Sequence, residues 1–166
     1  MTNPRYFLIG AGVAAAIAAA AIVLPAAGVR AEGDFFAPVA EPTTLKECSA
    51  CHMAYPAGLL PARSWRAVMG GLNDHFGENA SLDAKMTATI TDYLVANAAD
   101  AKTNRSKVTR GLDAAVTPLR ISDLPWWHRE HDGEVGPKAF ANPKVGSRAN
   151  CGACHAGAAK GYFEDD

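Results

Sequence analysis

The chain has 166 residues, 16 basic and 17 acidic, for a formal charge of −1, and 49% of it is hydrophobic while only 8% is aromatic. That length holds one ordinary domain or two small ones, and the balanced charge gives no sign of the clustered Lys and Arg that a nucleic-acid footprint requires. A core built from so much Ala and Gly is thin, and a buried cofactor would help to fill it.

The first element is a leader. Arg5 follows a short polar start, residues 6–24 carry no charge, Pro25 breaks the run, and Val29-Arg30-Ala31 makes a small-x-small site ahead of Glu32. Basic n-region, apolar h-region and small-residue site are the order of a secretory signal peptide, so residues 1–31 are expected to be cleaved. The alternative is a retained anchor, because the uncharged run approaches the roughly 20 residues that cross a bilayer; its many alanines make it weakly apolar and favour cleavage. Without Arg5 and Arg30 the remaining chain carries formally −3.

Residues 32–44 contain Pro and Thr and predict an extended arm or loop. Thr43 or Thr44 would cap a short helix through Leu45, Cys48 and Cys51, ended by Pro56 and Gly58, with both thiols on one face. Cys48, Cys51 and His52 form a C-x-x-C-H pentapeptide, and Cys151, Cys154 and His155 form a second. Thioether attachment of haem needs two thiols spaced to reach two vinyl groups and an imidazole placed next to them for the iron. Two pentapeptides that use all four cysteines therefore predict two covalent haem c groups per chain. A shared zinc site or two disulfides would use the same cysteines but would not explain the repeated adjacent His. A thioredoxin-like redox pair would need a βαβ setting that the sequence lacks. A proximal imidazole donates its second N–H to an acceptor, and for His52 the Pro56 carbonyl is the candidate.

Residues 64–76 predict the clearest helix, with Trp65, Val68, Met69, Leu72, His75 and Phe76 at helical spacing and Gly77 as the stop. Gly70 and Gly71 would weaken it, and are read as tolerated because something bulky lies near the backbone. A second helix is expected from Leu82 to Ala98, capped by Ser81, with the stripe Leu82, Met86, Ile90, Tyr93 and Leu94. These elements define an N-terminal haem domain, residues 32–99. Residues 100–118 turn polar and basic and predict a linker. Residues 119–166 form a smaller C-terminal haem domain: apolar 119–127, the His128–His131 stretch, an irregular Gly- and Pro-rich 132–150, then the second motif. Its apolar material is little beyond Trp126, Trp127, Phe140, Val145 and Phe163, so haem is expected to supply much of its core. The fold class is mainly α.

His52 and His155 serve as proximal ligands, which leaves His75, His128 and His131 for the distal sides. For the first iron His75 leads, with Met69 and Met86 as competing thioethers whose simpler role is core filling. For the second, His131 and His128 are three apart and share a helix face, so periodicity does not choose. No methionine follows Met86, which favours bis-histidine ligation there.

At this point the residues carry a resemblance. Cys48, Cys51 and His52 followed by Tyr55, Pro56 and residues 58–65, then residues 75–80, Tyr93, Leu94, Asn97 and Ala98, and later Pro125, Trp126, His131, Gly146, Ser147 and Asn150 ahead of Cys151, Cys154 and His155, together resemble the small soluble bacterial dihaem cytochromes c of the DHC type, over about residues 43–165. The resemblance implies a class I cytochrome c-like N-terminal domain with a smaller, irregular C-terminal one, and distal ligation by His75 and His131. His128 is a departure beside that second site. It also implies a periplasmic electron carrier, monomeric and without a small-molecule substrate, between a membrane b-type cytochrome and a small monohaem cytochrome. The competing expectations are a haem enzyme or gas-binding cytochrome with one open iron, and a dihaem subunit of a larger reductase complex.

Overall fold

The protein, seen here in a computed structural model, is described over residues 35–101 and 106–164. The expected leader and part of the expected linker lie outside the described residues. Among the described residues, five α-helices, joined by 3-10 turns, make up the regular structure: α1 (Pro42–Cys48), α2 (Ala62–Gly70), α3 (Ala84–Ala96), α4 (Pro125–His131) and α5 (Pro137–Phe140). Among the described residues there are no strands, only isolated bridges at Phe35–Tyr162 and His75–Glu78. The mainly α expectation holds.

Local chemistry sets the helix ends, and not always where the pattern placed them. α1 begins at Pro42, whose fixed φ suits a first helical residue; its cap is the Glu41 carboxylate, which accepts from the backbone N–H groups of Thr43 and Thr44 and from the Thr44 hydroxyl. Thr44 is capped rather than capping, and the helix stops at Cys48, so Cys51 sits in the following turn. α2 is shorter than its apolar periodicity: Gly71 is the C-cap, and a 3-10 turn over Leu72–Asp74 follows. Gly70 has open space where a Cβ would stand, and at Gly71 a Cβ would meet the Ala67 carbonyl oxygen at 3.4 Å. α3 is capped by Asp83, whose carboxylate accepts from Met86 N at 2.9 Å, in place of Ser81.

α2 packs on α3, and α1 on α3. Leu59, Leu60, Trp65, Met69, Ile90 and Leu94 of this part share one buried cluster with Phe36, Val108, Leu124, Trp126 and Trp127. The N-terminal arm reaches the far end of the chain: Phe36 N donates to Gly161 O at 2.8 Å, and the Phe36 ring meets Trp126 and Phe163 edge-on at 5.6 and 5.7 Å. The described part of the polar 100–118 segment lies on the core, with Val108 fully buried and Arg63 donating to the carbonyls of Val116 and Asp113.

Candidate functional site

Four cysteines and four of the five histidines gather into two sets. In the first, Cys48 ends α1 and Cys51 and His52 lie in the turn after it. His52 Nδ1 donates to the Met53 carbonyl at 2.7 Å, which leaves Nε2 as the free ring nitrogen. Pro56 was the wrong carbonyl: it accepts from Leu59 N at 3.0 Å and closes the next turn. Tyr55 stacks on the His52 ring, centroids 4.9 Å apart and 21° from parallel.

His75 faces His52 from a tight turn rather than a helix. His75 N donates to Glu78 O at 2.7 Å and Glu78 N returns to His75 O at 3.3 Å, with Phe76 and Gly77 between them at φ of 59° and 100°. Positive φ at both central residues marks a primed turn. Phe76 adopts that conformation without being glycine, and the Arg120 guanidinium covers its ring at 4.0 Å. Burial, then the neighbouring His52 and Arg120, hold the His75 imidazole below its ordinary pKa. Met69 lies in the buried cluster, and Met86 is half-buried on α3.

The second set surrounds a cavity of about 610 Å³ whose wall includes Trp127, His131, Arg148, Cys151, Cys154 and His155. His131, the last residue of α4, donates from Nδ1 to the Trp127 carbonyl one turn back at 2.8 Å and stacks on the Trp127 ring at 4.2 Å and 9°. His155 Nδ1 donates to Glu164 O at 3.1 Å. The Arg148 guanidinium stands 5.3 Å from the Trp127 ring centre and 5.2 Å from that of Phe140. Trp126, also in the wall, buries its indole N–H with no protein acceptor. His128 is turned away: its Nδ1 pairs with Asp132 at 2.9 Å in the open, and it does not line the cavity.

Both sets fit haem. A metal ion held from opposite sides by two imidazole nitrogens at about 2 Å separates the ring centroids by on the order of 6 Å; His52 and His75 stand 6.1 Å apart, and so do His131 and His155. The planes differ, at 23° in the first pair and 90° in the second. The cysteines form no disulfide, and burial pushes the thiols of Cys48 and Cys151 up, the opposite of what a thiolate nucleophile needs. No group of three His, Cys, Asp or Glu is arranged for a metal ion among the described residues.

The sequence matches the family described as dihaem cytochrome c over residues 44–163. The chain belongs to that family. As a dihaem cytochrome c it carries two covalently bound haem c groups, for which the pairs Cys48/Cys51 and Cys151/Cys154 are present, and its activity is electron transfer. Its likeness to solved structures is close. A diheme cytochrome c from Rhodobacter sphaeroides is 54% identical, with a TM-score of 0.72, over 76% of this chain and 99% of that one. A structure of DHC purified from the same organism is 52% identical, with a TM-score of 0.65, over the same shares. The diheme cytochrome type c from Shewanella baltica OS155 is 42% identical, with a TM-score of 0.59, over 74% of this chain and 86% of that one. No curated protein matches the sequence.

Residues that motif reasoning left without a role now have neighbours that explain them. Tyr55 is three past His52 and Trp127 four before His131, spacings that bring side chains together on a turn or helix; an aromatic at such a distance from a suspected ligand was the available signal.

Proposed function

We propose that this dihaem cytochrome c is a periplasmic one-electron carrier whose irons are both bis-histidine ligated, His52 with His75 and His155 with His131. The observation that carries the reading is the pair of imidazoles 6.1 Å apart in each of the two sites. The bound haem supplies a one-electron change at iron, and methionine is the axial ligand that would raise its potential. The protein's part is orientation. Nδ1–H bonds to the carbonyls of Met53, Trp127 and Glu164 set the tautomer of His52, His131 and His155 and make each imidazole a stronger donor. With both distal sides taken by protein, no position is left for a substrate, and the reading is of a carrier and not an enzyme.

Export to the periplasm rests on the leader-like residues 1–31, and among the described residues no helix is long and apolar enough to cross a membrane. The halves 32–99 and 119–166 would each hold one haem, with 100–118 between. The partners are redox proteins, a membrane b-type cytochrome and a small monohaem cytochrome, met by a monomer.

The test is visible and near-infrared spectroscopy of the purified holoprotein, ferric and ferrous, with and without carbon monoxide, with haem counted per chain. The expected result is two low-spin haems, no methionine-to-iron band and no shift with carbon monoxide. A methionine band would move a ligand to Met69 or Met86. A prompt carbon monoxide shift would mean an open iron, and with it gas binding or catalysis.

A further inference from the structure

Tyr55 belongs to the first haem segment but does not end there. Its ring lies on His52, 4.9 Å between centroids and 21° from parallel, and its hydroxyl donates to the Ala149 carbonyl at 2.7 Å, 94 residues along the chain. Ala149 stands two residues before Cys151, whose sulfur lies 3.6 Å from the same carbonyl oxygen. The loop around it is otherwise held by its own residues: Ala149 N donates to Ser147 Oγ, and the Asn150 side chain to Val145 O. One half-buried side chain therefore touches a histidine of the first site and the backbone that sets the thiol of the second.

We propose that Tyr55 is a positioning residue shared by both haem sites, setting the ring plane of His52 with its face and the place of the Cys151 segment with its hydroxyl. The two functions are separable because they use different parts of the side chain. The stacked face limits rotation of an imidazole that has only one hydrogen bond to orient it, and holds it within 23° of His75. The hydroxyl closes a chain of contacts from that imidazole, through the phenol, to the main chain of 149–151, so a change of geometry or charge at either site is felt at the other. A tyrosine is suited to this because its ring is apolar and its tip polar; phenylalanine keeps the first property and loses the second.

This inference rests on the bis-histidine reading above, and the test separates the two. Proton NMR of the ferric holoprotein, with the shifted haem methyl resonances assigned to each haem, is recorded for the wild type, Tyr55→Phe and Tyr55→Leu, together with the midpoint potential of each haem. Tyr55→Phe is expected to move the methyl resonances and potential of the second haem while those of the first stay in place; Tyr55→Leu is expected to move both sets. A general loss of stability would not give that asymmetry. If the wild type shows two low-spin bis-histidine haems and Tyr55→Phe leaves the second haem unmoved, the shared role is wrong while the ligand assignment stands. If the wild type itself lacks two such haems, the ligand assignment fails and the positioning role fails with it.

Discussion

The choice between His128 and His131 turns on one helical turn. Three residues apart, they share a face by periodicity, so nothing in the order of side chains separates them; the proposed ligation takes His131, which lines the cavity 6.1 Å from His155, whereas His128 pairs with Asp132. Replacing His131 by Ala should open one of the two irons, so that about half of the ferrous haem takes up carbon monoxide, while His128→Ala should leave the spectrum of the wild type. Equal spectra for the two variants would remove the assignment. The cysteines and proximal histidines were legible because the motif is contiguous, whereas the acceptor for His52 was not, since carbonyl directions after a turn leave no mark on side-chain order. Glu41 makes a residue-scale statement about pH. Its bonds to the Thr44 side chain and to the Thr43 and Thr44 backbone pull its pKa from 4.5 down to about 2. A folded-state pKa below the unfolded value means a contribution that is complete above about 4.5 and is lost as pH falls toward about 2. Acid unfolding of the holoprotein, followed by circular dichroism, should begin at higher pH in Glu41→Ala, which has no group there to titrate and has lost the cap.

At the level of elements, the apolar stripes located α2 and α3 but misjudged their ends. Leu72, His75 and Phe76 continue the period of α2, yet the chain leaves the helix at Gly71, because Gly70 and Gly71 contribute no packing to offset the backbone freedom they lose. Asp83 won the cap of α3 over Ser81 because its carboxylate reaches Met86 N; Asp83→Ala should cost about 1 kcal/mol in denaturant unfolding. The arm at residues 35–40 was legible as extended but not as paired, since nothing local announces a partner more than a hundred residues away. That pairing depends on Gly161. Its φ is +88°, and a Cβ there would stand 2.0 Å from the Phe36 carbonyl oxygen. Gly161→Ala should therefore cost about 1–3 kcal/mol for the backbone conformation alone, with the collision adding to it. Faster hydrogen exchange at Phe36 N, whose acceptor is Gly161 O, would show that the arm has come away; unchanged protection would mean that the pairing contributes little.

For the whole molecule, division by haem and division by core differ. Each motif has a second histidine 6.1 Å from its own, but Phe36, Leu124, Trp126 and Trp127 pack in the same cluster as Leu59, Trp65, Ile90 and Leu94, and Leu59 also lines the cavity of the second site. The cavity of about 610 Å³ at the second site opens to solvent and has Lys107, Arg129, Glu130, Glu134 and Arg148 in its wall, so without haem water would enter it. Leu59, Trp126 and Trp127 of that wall, which haem would cover, belong to the shared core. The variant Cys151→Ala/Cys154→Ala, which keeps only the first attachment site, should consequently lose more than the order of residues 119–164. Thermal unfolding followed both by far-ultraviolet circular dichroism and by the Soret band of the remaining haem should show one coincident transition, lowered by about 10 °C, the shift that a loss of about 2–3 kcal/mol produces in a chain of this size. If the Soret transition of the first haem instead kept its wild-type midpoint while the circular dichroism signal fell in an earlier step, the two halves would be independent folding units, and the packing of Phe36 on Trp126 and Phe163 would be a contact of surfaces and not part of one core.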